Sequence, residues 1–511
     1  VLREEGAAER RRIRHSVEHM LAVLASAILL CWPAFWNRFP LVYPDSLQYV
    51  WNGKTIVWQL LMFHRPDLLD ARSEIFSVFT YVFYRSLSVW AAVALQALLT
   101  SWIIWLVVRS VILKRQVTVF LALSFILSFF TAASWFVSFL MPDILGPLLY
   151  LSLYLLVFAS ENLRRWERWL LLVTTFFAIT AHATHLLLAT WICLVLGALW
   201  LFGWSAMRQR GVWLSRVCAV VVLATGTQVV LHTVLYGNPS VFGVPLPFLT
   251  GRLLGDGPAR TYLYEHCAGR DWVLCGHLDK LPESEKDFLG SFWQTATPAQ
   301  RAQLRKQEVP LLRAVVATYP RQQMKRSWSN FVQMMGNVGV DYDFANYPVW
   351  SQALDSTIWK VYAGYPRSRQ QHHAMPWMLF GGLQQKVFLI ALGLLVLLLP
   401  GVWKRRQDLT CLRILGLSVI VMSVLPVNAF LCGVISCNDP RLQGRVAWLL
   451  VLLAMLLIVV TLQEARRISF YGESRGRSLR DDKQKGKGNC NNQYKDLSAR
   501  HDDKAVMLRS R

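Results

Sequence analysis

The segment FPLVYPDSLQYVWNGKT, residues 39–55, carries Asp45 with Ser46 and Tyr49 close behind, and it follows an apolar run that ends at Trp36. A carboxylate at the mouth of a membrane span can take the proton of an attacking hydroxyl; its plain reading is a cap on the short helix that PDSLQYVWNG would begin. Asp143 in MPDILGP has the same two readings, a cap after proline or a second acidic group that orients an acceptor hydroxyl or a cation. His182 and His185 in AHATH share one face if a helix runs through both, where they would bind a metal, hydrogen-bond a phosphate, or only cover a helix end. Arg65, Arg72, Arg441 and Arg445 offer the planar fork that suits phosphate, with anchoring to lipid headgroups as the competing role. Arg441 and Arg445 fit phosphate best, because they lie four residues apart at the start of the last apolar run.

The elements that must position these groups are membrane helices. The chain has 511 residues, 54% of them hydrophobic, too many for an ordinary soluble surface. Ten apolar runs read as spans: residues 20–36, 87–108, 117–133, 144–160, 169–184, 185–203, 213–235, 387–403, 411–431 and 446–462. The net charge of +23 is gathered in short clusters between these runs and in the tail, which points to a membrane surface and away from nucleic acid. ERRRIR precedes the first span, and Arg109, Lys114 and Arg115 follow the second. ENLRRWER follows the fourth, Arg208, Arg210 and Arg216 the sixth, KRRQ the eighth, and the basic tail the tenth. Every second connection is therefore basic and belongs in the cytoplasm with both termini. No cleavable signal peptide is expected, since no small-residue cleavage site follows the first run.

The opposite, outward face collects Asp45, Asp143, the AHATH turn, CNDPRLQGR and a long insertion. The resulting organisation is a basic cytoplasmic segment at 1–19, a transmembrane module at 20–236 with its first outward loop at 37–86, and a mostly helical outward domain at 237–386. Further helices at 387–462 and a polar, basic tail at 463–511, too poor in apolar residues to fold, complete it. Either Cys267 with Cys275 or Cys432 with Cys437 would form a disulfide if that face is periplasmic; free thiols are the alternative. No CxxC pair or HExxH motif supports a zinc site. The 13% of aromatic residues cluster near span ends, as an interfacial belt requires.

A first span, then an outward loop opening with YPDSLQY and continuing HRPDLLDARSEIFSVFTYVFYRSLSVW, resembles the amino-terminal half of GT-C-type, glycosyltransferase 39-like enzymes that use polyprenyl-phosphate sugars. The resemblance covers roughly residues 20–236 and implies an all-α polytopic fold of about ten transmembrane helices, with short amphipathic helices in the first outward loop. It places Asp45 at the acidic catalytic position and Tyr49 at the neighbouring aromatic. The loop keeps Arg65 and Pro66 but lacks the second proline and the Tyr-Pro of many members, and Asp45 stands beside Ser46 where many have a second acidic residue. CNDPRLQGRVAWLL is similar to the carboxyl-terminal region of bacterial envelope proteins encoded among sugar-polymer genes.

These readings lead to an inner-membrane glycosyltransferase that moves a sugar from a polyprenyl-phosphate donor to an envelope glycan, lipid or protein on the periplasmic side. Asp45 would act as base; Tyr49, Arg65, Arg72, Asp143, His182, His185, Arg441 and Arg445 would bind substrate. No cofactor is required, although a divalent metal would be compatible. Two alternatives stand beside it: a lipid-linked glycan transporter or flippase, and a polymerase or ligase of lipid-linked oligosaccharides. A transporter calls for charge at mid-membrane and for inverted repeats, and neither is visible in the sequence.

Overall fold

The computed structural model describes residues 2–62, 72–202, 204, 207, 210–243, 246–341 and 364–465. It divides into two compact units, Val1–Leu457 and Ile458–Arg511. Arg65 and nearly all of the tail at 463–511 lie outside the described residues.

Every named element among the described residues is helical, and the one β-bridge is isolated. In chain order the main helices are α1 (Leu2–Leu30), α2 (Trp32–Asn37), α3 (Pro44–Leu61), α4 (Glu74–Ser86), α5 (Val89–Val111), α6 (Gln116–Phe130), α7 (Ala133–Ser138), α8 (Leu145–Phe158) and α9 (Arg165–Ala181). There follow α10 (Ala183–Leu201) and α11 (Gly211–Tyr236), then α12 (Phe248–Asp256), α13 (Pro258–His266), α14 (Pro298–Thr318) and α15 (Pro320–Gly336) of the inserted domain. The chain closes with α16 (Trp377–Lys404), α17 (Leu409–Phe430) and α18 (Arg441–Ala465).

Each of the ten expected spans coincides with helix, but among the described residues six helices are long and apolar enough to cross a membrane: α5, α10, α11, α16, α17 with the turn that follows it, and α18. Helices α6, α8 and α9 are shorter, at 15, 14 and 17 residues. Helix α8 shows why apolar periodicity is absent there. It is buried on every side, packed among α5, α9 and α17, and a helix hydrophobic all round belongs at the centre of a bundle. By contrast α11 and α16 present Val222 and Leu397, 70% and 75% exposed, on faces suited to lipid.

Local chemistry sets the helix ends. Ser73 Oγ accepts from the Phe76 amide (3.1 Å), Ser88 Oγ from Trp90 (3.2 Å), and Asp408 Oδ1 from Thr410 (2.8 Å), each satisfying a first-turn N–H. Gly237 ends α11 with φ of 71°, which glycine reaches without steric cost.

The loop that carries Asp45 is bracketed by backbone. Leu41 N–H donates to Ser138 C=O (2.9 Å) and Leu140 N–H to Leu41 C=O (3.1 Å), tying the loop to the strand-like segment just before Asp143. Buried Gln370 pins Val42 from both sides, accepting from its N–H (3.0 Å) and donating to its C=O (2.8 Å). Beyond the bracket, α3 and α4 form an amphipathic hairpin whose close approach is made at Gly53, where a Cβ would overlap the Ser77 carbonyl and lie 2.7 Å from Tyr81 Cβ.

The far ends of the helices hold a separate ion network. Arg109 donates to both oxygens of Glu167 (2.9 and 2.6 Å), and Arg413 donates to Glu161 (2.9 Å) and to the Ser110 carbonyl (2.7 Å). These four residues sit at the opposite ends of α5, α8, α9 and α17 from the site described below; along α17 the separation from Arg413 to Asn428 is about 22 Å.

The inserted domain has its own core, with Leu254, Leu263, Phe288, Trp293, Leu304 and Val315 packed together. It ends before Trp377, where α16 begins, rather than at residue 386. Of the two cysteine pairs, Cys267 and Cys275 form the disulfide, while Cys432 and Cys437 remain thiols. Burial pushes the Cys437 thiol up to about 12, so it stays protonated and slow to react in the folded protein.

Two outcomes are expected. Digestion after alkylation in denaturant, without reductant, yields a linked Cys267–Cys275 peptide and labelled Cys432 and Cys437; label on all four residues would remove the disulfide. Gly53→Ala forces α3 from α4 and lowers stability by about 1–3 kcal/mol or more, read as a drop in thermal midpoint in detergent.

Candidate functional site

Four separate chain segments meet at one end of the bundle. Asp45 lies in the first turn of α3, Arg72 just ahead of α4, Asp143 in the 3-10 turn Pro142–Ile144 that leads into α8, and Arg441 and Arg445 in the first two turns of α18. Neither aspartate caps its helix. The cap of α3 is made instead by Ser46, whose Oγ accepts from the Tyr43 amide (3.1 Å), and the Asp45 side chain is free to turn toward arginines.

Arg72 Nη2 donates to Asp45 Oδ1 at 2.6 Å. Arg441 Nη2 lies 3.5 Å from the other oxygen of Asp45, its Nη1 3.4 Å from Asp143 Oδ2, and its Nε 3.7 Å from Asp439 Oδ2. Arg445 Nη1 donates to Asp143 Oδ1 (3.2 Å), and its Nη2 to Thr184 Oγ1 (2.9 Å) and Asn428 Oδ1 (3.3 Å). Three carboxylates and three guanidinium groups thus form one continuous, charge-balanced cluster.

Exposure is graded through it. Side-chain exposure falls from 26% at Arg72 and 16% at Asp45 to 9% at Arg441, then 2% at Asp143 and none at Arg445. The deep pair cannot be reached by solvent; the lip can.

Arg441 is held differently from its neighbours. Three carboxylates surround it, none closer than 3.4 Å, whereas a charge-assisted N–H···O bond normally closes to about 2.7–2.9 Å. Its guanidinium carbon sits 4.2 Å from the centre of the Tyr43 ring, a cation–π contact that fixes its position without consuming its donors. Burial, with the charge of Asp439 added to it, pushes the Tyr43 phenol well above its ordinary value, so the hydroxyl stays protonated and donates to Asp439 (3.1 Å).

Tyr49 is buried edge-on against Phe76, and its hydroxyl feels the charges of Arg72, Asp45, Asp143 and Arg441. Burial raises its phenol pKa too. The helix does not run through both histidines: His182 has extended backbone and caps α10, accepting from the Thr184 amide (3.2 Å). The two rings still lie 5.1 Å apart. His182 reaches the cluster through Thr184 (2.9 Å), the residue that Arg445 also holds, while His185 is fully buried with Nδ1 against the Ala178 carbonyl (2.8 Å). His185 is therefore a neighbour of the cluster and not a member of it. No group of three or more His, Cys, Asp or Glu among the described residues is placed to hold a metal ion.

Several members escape sequence reasoning. Asp439 and Tyr43 stand inside the two quoted motifs, and their proximity to Arg441 and Asp45 in sequence was the available signal. Thr184, Asn428 and Cys432, the last in a π-helical turn at Leu431–Ile435, are ordinary residues at helix ends. Beside Arg72, Glu74 accepts from Tyr236 Oη (2.7 Å) and pairs with His232 Nε2 (3.1 Å), both at the end of α11, across a cleft of about 40 Å³. Nothing in the sequence links residues that distant.

Comparison with family models, with curated proteins and with solved structures yields no match to the chain.

The graded burial separates stability from exposure. Removing one member of the deep pair, as in Asp143→Ala or Arg445→Ala, leaves an uncompensated buried charge and costs about 3–5 kcal/mol. Asp45→Asn at the lip costs at most about 1 kcal/mol. Thermal unfolding of the three purified variants checks the order, and equal loss from all three would mean that the cluster is uniformly buried.

Proposed function

We propose that the chain is a membrane glycosyltransferase of GT-C type that transfers a sugar from a polyprenyl-phosphate donor to an envelope acceptor on the outward side of the inner membrane. The observation that carries this reading is Arg441: a positioned guanidinium at the lip of the cluster whose three carboxylate contacts are all long, next to the more exposed carboxylate of Asp45. Such loose contacts tighten when a ligand completes the site.

The four shorter or interrupted apolar helices, added to the six long ones, complete the ten spans in this reading. Basic connections hold the far ends, with the Arg109 and Arg413 network, in the cytoplasm. The donor then lies in the outer leaflet with its phosphate at the depth of Arg72 and Arg441.

In the reaction, the phosphate of the donor takes the N–H groups of Arg72 and Arg441 and so releases Asp45 from its ion pairs. Asp45 accepts the proton of the acceptor hydroxyl while the hydroxyl oxygen forms a bond to the anomeric carbon. The bond from that carbon to the phosphate oxygen breaks, and polyprenyl phosphate leaves with the bonding pair. Its added negative charge is met by Arg72 and Arg441 in a site of low dielectric, where fixed donors stabilise developing charge most. Asp143 and Arg445 act through Arg441, holding it in place.

Cells that carry no copy, the native chain, or Asp45→Asn at matched membrane levels provide the test, with lipid-linked sugars and envelope glycans read by mass spectrometry. The native chain alone restores a sugar to the envelope, and Asp45→Asn leaves its lipid-linked donor unused, with the transfer rate reduced about 10²–10⁴-fold. Full restoration by Asp45→Asn would overturn the base assignment and move the transporter reading ahead.

A further inference from the structure

A second polar cavity, of about 730 Å³, lies in the inserted domain, within the range of about 300–1,000 Å³ usual for small-ligand clefts. Arg260 and Tyr264 line it from α13, Lys325 and Arg326 from α15, with Asp256 and Glu283 between them. The ion cluster has no part in it.

Three features fix the kind of ligand. First, both signs of charge line the walls, and none of Arg260, Lys325 and Arg326 is committed to an ion pair among the described residues. A strongly anionic ligand would face the exposed carboxylates of Asp279 and Glu283, and a lipid chain would find little apolar wall; a polyhydroxyl compound, donor and acceptor at every oxygen, finds partners of both kinds. Second, Tyr264 is 62% exposed yet immobilised, because its hydroxyl donates to the Leu278 carbonyl (2.9 Å). An exposed ring held still is a platform for the C–H face of a sugar. Third, the floor is rigid: buried Asp256 accepts from Gln323 (2.7 Å) and Asn330 (2.8 Å) and pairs with Arg252 (3.0 Å), and the Cys267–Cys275 disulfide closes the loop directly after α13.

The cavity floor is also joined to the ion cluster. Arg252 pairs with Glu285 (3.1 Å), Glu285 accepts from the Asn438 amide (3.2 Å), and the next residue is Asp439, a carboxylate facing Arg441. The cavity floor and the segment that opens α18 thus share one chain of polar contacts.

We propose that this cavity is a carbohydrate subsite that binds a neutral or zwitterionic oligosaccharide, the growing or acceptor glycan; its assignment as acceptor rests on the glycosyltransferase reading, but the binding does not. Tyr264 stacks on a sugar ring, and Arg260, Arg326 and Glu283 divide its hydroxyls between donors and acceptors.

The test passes total oligosaccharide, released by mild acid from the envelope of the organism that encodes the chain, over the full chain immobilised in lipid nanodiscs, with retained glycans identified by mass spectrometry. The native chain and Asp45→Asn retain the same glycans above empty nanodiscs. Tyr264→Ala retains about tenfold less or lower, and Tyr264→Phe, which keeps the ring but loses the hydroxyl bond that holds it, falls between Tyr264→Ala and the native chain at an unchanged thermal midpoint. No retention by the native chain, or equal retention by Tyr264→Ala, overturns the proposal. Because Asp45→Asn is scored here on binding alone, loss of the transferase reading and loss of this subsite give different results.

Discussion

The arrangement of charge at the site end of the bundle depends on one buried ion pair, Asp143 with Arg445. Taking two such ions out of water costs several kcal/mol each, and their attraction repays this only when the remaining hydrogen-bonding groups find partners. Here Thr184 and Asn428 supply those partners to Arg445, and Arg441 supplies one to Asp143. The pair joins the start of α8 to the second turn of α18, helices that the chain separates by the whole inserted domain. It sets the start of α18 beside Asp143, while the Tyr43 ring and hydroxyl hold Arg441 and Asp439 near Asp45.

That dependence divides the cluster by depth. At the bottom, charges are matched and fully desolvated, which suits a scaffold. At the lip, Asp45 and Arg72 remain partly wet, and Arg441 stands between the two layers with its donors only loosely occupied. A site that must bind a charged ligand and release it gains from this order. In the proposed transfer the incoming anion would replace carboxylates already at the lip instead of entering an empty cationic pocket, and the guanidinium groups would need no reorganisation when charge develops on the leaving group.

Much of this was legible in the sequence, for reasons that can be stated residue by residue. Asp45, Asp143, Arg441 and Arg445 were chosen because alternation of basic connections assigns all four to one side of a membrane, and charge patterning survives any error in helix boundaries. The loop helices α3 and α4 agree with what the resemblance implied, short amphipathic helices in the first outward loop. Three of the ten expected spans, at α6, α8 and α9, fall short of spanning length, two of them where the apolar run breaks: α6 gives way to α7, and the run around α8 opens with a proline turn that sets Asp143. Hydropathy averages over such breaks. Thr184 and Asn428 were invisible because a small polar residue at a helix end has a sufficient local explanation, and the pairing of Glu74 with His232 spans 158 positions. The paired histidines failed in a more specific way. Spacing of three predicts a shared face only while the helix continues, and His182, by capping α10, ends that continuity.

The strongest rival to a functional site is a structural one, since interlocked arginines and carboxylates also fasten helices together. The molecule contains that case at its other end. Arg109 grips Glu167 through two bonds of 2.9 and 2.6 Å, and Arg413 closes on Glu161 and a backbone carbonyl at 2.9 and 2.7 Å. Short contacts of this kind help a fastening to repay desolvation. Arg441 is as buried as Arg413, at 8% against 6% exposure, yet it is spread over three carboxylates, and its one hydrogen bond to them, to Asp143 Oδ2, is long at 3.4 Å. Its position between three acceptors, fixed by the Tyr43 ring, makes sense if the place it is aimed at is filled by something else during part of its working cycle.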